Sequence, residues 1–174
     1  RRNKTSDSQT HVFLGYAHSF QNQVEINADI NYGRYDYHGA YVYDYSDTAV
    51  PDPVVWDDDS DAEWWRYEVQ ASIYAFDRHK LVTGVEYRDN TQQDQSNNDE
   101  FDVYLDSEDD SDIWGVYVQD EMDLGRVRMA AALRADYFEN LADINLSPRL
   151  AVIWTPIDGH SFKASYDRAF RTPS

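Results

Sequence analysis

From Gly115 to Glu139 the chain reads "GVYVQDEMDLGRVRMAAALRADYFE", and apolar residues alternate on both sides of a turn that is preceded by the cluster Asp120, Glu121 and Asp123. Val116 and Val118 alternate with Tyr117 and Gln119. Past Leu124-Gly125-Arg126, Met129, Ala131 and Leu133 take up the alternation again. A period of two sends successive side chains to opposite faces of a strand, so this hairpin has one apolar face. The other face carries Arg128, Arg134 and Asp136. Burying that second face in an ordinary core would leave charges without water. The pattern therefore requires an apolar medium on one side and water, or other charges, on the opposite side.

The same alternation divides the chain into about eight segments. One runs from roughly Thr10 to Phe20. In the next, Val24, Ile26, Ala28, Ile30 and Tyr32 alternate with Glu25, Asn27, Asp29 and Asn31, and Tyr35, Tyr37, Tyr41, Tyr43 and Tyr45 continue it past Gly33 and Gly39. Trp65, Tyr67, Val69, Ala71 and Ile73 oppose Arg66, Glu68, Gln70 and Ser72; "LVTGVEYRDN" follows, then the opening hairpin, then strands through Leu150, Val152 and Trp154 and through Phe162, Ala164 and Tyr166. Connections near 21–23, 77–80, 123–126 and 156–160 are short, whereas polar segments at 44–63, 89–112 and 140–147 are long. In an antiparallel meander alternate connections lie at the same end, so the short turns share one end and the long segments the other. Transmembrane barrels have this asymmetry, and strands of about ten residues suit a tilted bilayer crossing.

Composition narrows the classes. Aromatic residues make up 15% of the chain, which opposes disorder. No apolar run exceeds five residues, so there is no transmembrane helix, a test to which barrel strands are invisible. The absence of Cys excludes a disulfide scaffold and a thiolate metal site. A net charge of −18 argues strongly against nucleic acid as a partner. Eight carboxylates lie between Asp44 and Glu63 and ten between Asp89 and Asp112, so over half of the 33 acids belong to two segments at one predicted end. The N-terminus, Arg1-Arg2-Asn3-Lys4, has no apolar signal stretch, which fits a mature product, a cytosolic protein or an excised segment.

On the barrel reading, Glu68, Glu86, Arg88, Arg128, Arg134, Asp136, Arg149 and Lys163 face a watery or protein-filled lumen. Trp65 and Trp114 near the long-segment end, and Trp154 near the short-turn end, suit interface girdles. Tyr41, Tyr43, Trp56 and Tyr104 are the candidate ligand-stacking residues, with girdle and loop packing as the structural alternative. "WDDDSDAE" and "DSEDDSD" lack the alternating ligands and central Gly of a calcium loop and are expected to be solvated external loops, with bridging of divalent ions to lipopolysaccharide phosphate a secondary option. The five His form no ligand pair, and no nucleophile and base are arranged for catalysis. No catalytic residue, metal site or cofactor is expected.

Several ordered patterns resemble a known family. Tyr117, Gln119, Asp120 and Glu121, then Leu133, Arg134 and Asp136, then Pro148, Arg149 and Leu150, and finally Ala169, Phe170, Arg171, Pro173 and Ser174 look like the barrel of TonB-dependent outer-membrane receptors. Ala132 and Ala135 replace the family's usual Gly and Tyr without breaking the alternation. The resemblance implies a plugged barrel of about 22 strands, placed in the outer membrane of a Gram-negative bacterium among lipid and lipopolysaccharide. It also implies import of a small ligand such as a metal chelate, an iron–siderophore complex first among candidates, with energy from the TonB complex acting through a plug. Residues 1–174 are expected to be an internal segment of that barrel: an all-β, antiparallel up-and-down sheet of about eight strands with two unpaired edges, lacking plug and remaining strands. Outside that family, the alternation also admits a small eight-stranded barrel acting as anchor or adhesion module, or a soluble carbohydrate-binding β domain.

Overall fold

The computed structural model describes residues 3–21, 23–43, 53–75, 77–141 and 143–170. Nine strands make one sheet: β1 (Lys4–Phe20), β2 (Val24–Tyr43), β3 (Val54–Ala75), β4 (His79–Asn98), β5 (Val103–Ser107), β6 (Ser111–Asp123), β7 (Val127–Phe138), β8 (Asp143–Ile157) and β9 (His160–Asp167). Eight follow one another in the order β1-β2-β3-β4-β6-β7-β8-β9, and β5 pairs with β4 off that path. The expected antiparallel meander of eight strands is present. Its only described helical element is a 3-10 turn, Glu139–Leu141.

The polar segments depart from expectation. Residues 54–63 belong to β3, and most of 89–112 belongs to β4, β5 and β6. The connections described there shrink to 99–102 and 108–110. Tyr45 and the remainder of 44–52 lie outside the described residues, as do Arg171, Pro173 and Ser174. Asp, Asn and Gln are poor strand formers on average, but strand preference is set by cross-strand neighbours and burial more than by the backbone. Here the neighbours are aromatic: the Tyr32 and Trp65 rings lie 4.8 Å apart and those of Trp56 and Tyr104 4.5 Å apart.

By contact density the chain forms two units. The first comprises Arg1–Phe13, Asn31–Trp65 and Asp89–Ser111, and the second Leu14–Ile30, Arg66–Arg88 and Asp112–Ser174. The second contains all the short turns. Within it the ladders are long and regular, from Ile113↔Phe138 to Asp123↔Arg128 and from Val127↔Trp154 to Phe138↔Asp143. Residues directly opposite share a face, so Val118↔Leu133 belongs to one face and Tyr117↔Arg134 to the other.

Among the described residues only Val54 and Val82 are buried apolar side chains, so the sheet has no core of its own. Val116 is 56% exposed, Leu133 46% and Phe162 62%. An apolar face this open exceeds what a soluble monomer usually shows.

Each short connection is closed by one residue in the left-handed region: Gln21 (φ 49°), Asp77 (φ 55°), Gly125 (φ 80°) and Gly159 (φ 83°). Left-handed backbone costs an L-residue about 1–2 kcal/mol. A Cβ at Gly159 would meet nothing within 4 Å, so only backbone strain opposes a side chain there. Gly159→Ala should therefore lower stability by about 1 kcal/mol, and Gln21→Gly should raise it by a few tenths. Urea titration of the folded full-length protein in detergent measures both; equal effects of the same sign would contradict the account.

Candidate functional site

Two arrangements of functional side chains stand out, one in each unit. In the second unit, charged residues of β3, β4, β6 and β7 form a belt. Glu86 accepts hydrogen bonds from Arg66 Nε at 2.9 Å and from Arg134 Nη2 at 3.0 Å. Arg134 also holds Asp136 Oδ1 at 2.8 Å, and Arg66 is ion-paired with Glu68. The Tyr117 hydroxyl donates to Glu68 Oε1 at 2.6 Å and lies 3.0 Å from Gln70 Oε1, while Arg134 sits 5.9 Å from the Tyr117 ring centroid. These contacts put the whole set on the face opposite Val116, Val118 and Leu133.

Two glycines make this geometry possible. A Cβ at Gly84 would fall 2.5 Å from the Tyr117 ring, and one at Gly115 would run into the Arg134 guanidinium. Each large side chain thus lies flat across a neighbouring strand where a glycine leaves room.

Of the residues expected on this face, Glu68, Glu86, Arg134 and Asp136 meet in the belt. Arg88 lies two residues along β4 from Glu86, in phase with it. Arg149 pairs with Asp167 at 3.0 Å and Arg128 with Asp123 at 3.4 Å, both well exposed. Lys163 stands opposite Ile153, itself opposite Arg128, and so shares the face by register. Arg66 and Tyr117 also belong to the belt; their phase with Glu68 and Gln119 was the sequence signal for them. On the other face His79 Nδ1 lies 2.9 Å from Asp120 Oδ2, so His79 is tied down although it begins a strand beside a turn.

In the first unit, aromatic side chains form a shelf. Trp56 and Tyr104 stack at 4.5 Å with 7° between their planes, and Tyr43 meets Trp56 edge-on at 5.5 Å. Three of the four expected ligand-stacking residues therefore touch. Tyr41 is instead engaged by Tyr37, their hydroxyls 2.5 Å apart. That hydrogen bond, with burial and nearby charges including Asp58, pushes the Tyr37 phenol up to about 12. The tip of the hairpin is fixed by Asp99, whose Oδ1 accepts from the Phe101 and Asp102 N–H groups at 2.8 Å and whose Oδ2 accepts from the Tyr104 hydroxyl at 3.0 Å. Burial alone would raise the Asp99 carboxyl, but these donors outweigh it and hold it below the usual carboxylate range.

The acidic run of β3 does not make a cation cage. On a strand, consecutive carboxylates point to opposite faces, so Asp58 is separated from Asp57 and Asp59. Among the described residues no three His, Asp or Glu side chains converge as metal ligands.

The belt has a direct consequence for stability. Glu86 is the shared acceptor of two guanidinium groups, so Glu86→Ala leaves both partly unpaired in a half-buried setting. A loss of about 1–3 kcal/mol is expected, larger than for Arg149→Ala at an exposed pair, where it should stay below about 1 kcal/mol. Denaturant midpoints of the two full-length variants give the comparison, and equal losses would show that the belt is only a surface feature.

A family model described as TonB dependent receptor-like, beta-barrel matches residues 1–174. No curated protein sequence matches the chain. Among solved structures, the unliganded ferric citrate transporter FecA aligns with a TM-score of 0.71 at 12% identity, over 95% of this chain and 28% of that one. The copper transporter OprC aligns at 0.70 and 18% identity, over 95% and 30%. Pseudomonas aeruginosa FpvA, solved with heterologous pyoverdines and iron, aligns at 0.63 and 14% identity, over 90% and 26%. At these identities the likeness is one of fold, and the chain spans less than a third of each relative. A soluble carbohydrate-binding domain and an independent small barrel are both set aside by a match along the full 174 residues: the chain belongs to the TonB-dependent receptor β-barrel family.

Proposed function

We propose that this chain is a stretch of barrel wall in an outer-membrane receptor that captures a metal chelate, an iron–siderophore complex in the first instance, and imports it. The observation that carries the proposal is the division of the second unit into an apolar face and a face of mutually paired charges. Hydrocarbon on one side and a hydrated or protein-filled lumen on the other satisfy both faces at once. Strands of 12 to 15 residues in β6, β7 and β8 suit a bilayer crossing, while β2, β3 and β4, at 20 to 22 residues, are longer than a crossing requires. Within the second unit Tyr87 pairs with Trp114 at 4.5 Å about ten residues from the short turns, and Trp154 pairs with Phe162 beside the turn at Gly159. Two such levels fit the two interfaces of an outer membrane, where lipid and, outside, lipopolysaccharide would surround the wall.

In this reading Glu68, Glu86, Arg88, Arg128, Arg134, Asp136, Arg149 and Lys163 face the lumen. Tyr43, Trp56 and Tyr104, with Tyr41 beside them, provide the external contact for ligand. Energy would reach the receptor through a TonB complex acting on a plug carried elsewhere in the longer protein. The relatives named above concern ferric citrate, copper and iron-bound pyoverdines, which supports metal cargo as a class. A test uses cells expressing the full-length receptor, with radiolabelled iron supplied in a panel of chelates. Uptake of at least one chelate should depend on the TonB complex. Trp56→Ala should raise the half-saturating concentration about tenfold at an unchanged amount of folded protein. Absence of TonB-dependent uptake across the panel would count against import, and unaltered saturation in the variant would count against the shelf.

A further inference from the structure

We infer that the aromatic shelf selects ligands that carry net positive charge and a flat face. The inference rests on the reading of the shelf as a ligand contact and goes beyond it by fixing the chemistry of what is held. Charge is divided very unevenly along the chain. The first unit holds nineteen of the 33 carboxylates but only four of the fifteen Lys and Arg residues. No Lys or Arg occurs from Tyr35 to Trp65 or from Asp89 to Ser111, the stretches that supply the shelf. An anion arriving here meets nineteen carboxylates against four cations, Arg1, Arg2, Lys4 and Arg34, whereas a cation is drawn in and concentrated.

The shelf itself is built for the same sign. Stacked rings offer negative π faces, and a cation placed over such a face is attracted by the ring quadrupole. Tyr104, 52% exposed, is the ring most open to a ligand, and its hydroxyl donates to the Asp99 carboxylate at 3.0 Å. A phenol that gives its hydrogen bond to a carboxylate gains electron density on the ring, so the outermost face becomes the most attractive to a cation. Asp99 acts here as a positioning residue, since the backbone of Phe101 and Asp102 fixes its place and it in turn fixes Tyr104. The Trp56 indole N–H has no acceptor among the described residues. Together these features describe a cationic complex or organic cation with a planar face.

The experiment uses the full-length receptor in detergent and two planar dyes of similar area, cationic proflavine and anionic pyrenesulfonate. Binding is read by equilibrium dialysis, with Trp56→Ala protein as the blank that removes adsorption to the acidic surface and to micelles. Proflavine should bind the receptor at least about tenfold more tightly than pyrenesulfonate at low salt, and the difference should shrink at high salt. Trp56→Ala should abolish the excess. Tyr104→Phe, which keeps the ring but loses its bond to Asp99, should weaken proflavine by a few fold. Preferential binding of pyrenesulfonate that disappears in Trp56→Ala would overturn the charge assignment and leave the shelf as a ligand site. Binding of either dye that is unchanged in Trp56→Ala, or no binding of proflavine, would overturn the inference; an unchanged Trp56→Ala would also remove the shelf from the proposed function.

Discussion

Backbone hydrogen bonding between neighbouring strands is the constraint on which everything else in this chain depends. Hydrocarbon supplies no partner for an N–H or a C=O, so a lipid-facing wall is viable only if each strand satisfies the next. The β6–β7 and β7–β8 ladders run without a register shift over eleven and twelve residue pairs. Such ladders leave no freedom in which side chains share a face. A slip of one residue would send Arg134 to the side of Val118 and Leu133, and the charge set with it. The alternation of Val116, Val118, Met129, Ala131 and Leu133 is thus a requirement of the ladder as much as of the surroundings.

The charges obey a second rule, that of dielectric. The second unit has fourteen carboxylates against eleven Lys and Arg residues, close to balance, and its most enclosed acids are held by guanidinium groups. Unpaired charges cost several kcal/mol where water is scarce, so a wall face of this kind needs its partners built in. The first unit is under no such demand. Its nineteen carboxylates far outnumber its four Lys and Arg residues, which a well-hydrated surface tolerates. The two rules divide one continuous set of strands into a paired part and an acidic part without any break in the chain.

How much of this was legible in the sequence depended on the strength of the period-two signal. At 116–119 and again at 127–137 the alternation was clear, and it placed Arg134 and Asp136 together on the side opposite Val116 and Leu133. The strand order follows from the same signal, because short turns force sequential neighbours to pair. At 54–63 and 89–98 the signal failed, since acids, amides and small residues occupy both faces and mimic a loop. The information there lay in isolated rings: Trp56 and Tyr104 are far apart in sequence and reveal a strand only once they stack. The belt was half visible. Its acids and Arg134 could be chosen by phase, but the flat lie of Tyr117 depends on Gly84, a cross-strand relation that one sequence does not display.

On the proposed reading, strands longer than a bilayer crossing bear on how a ligand is held. Loops that must order on binding lose part of the interaction energy to conformational entropy. Here Tyr43 and Trp56 belong to β2 and β3, and Tyr104 is held on β5 by Asp99, so the proposed ligand contact is assembled by the fold itself. Gly39, where a Cβ would lie 2.6 Å from the Tyr37 hydroxyl and 2.7 Å from the Tyr41 ring, lets those two rings of the same strand close over it. A sheet carrying acids on both faces would be a weak scaffold without such rings. The aromatic residues therefore do two things at once: they help to hold a polar sheet together, and they form the stacked surface proposed as a ligand contact.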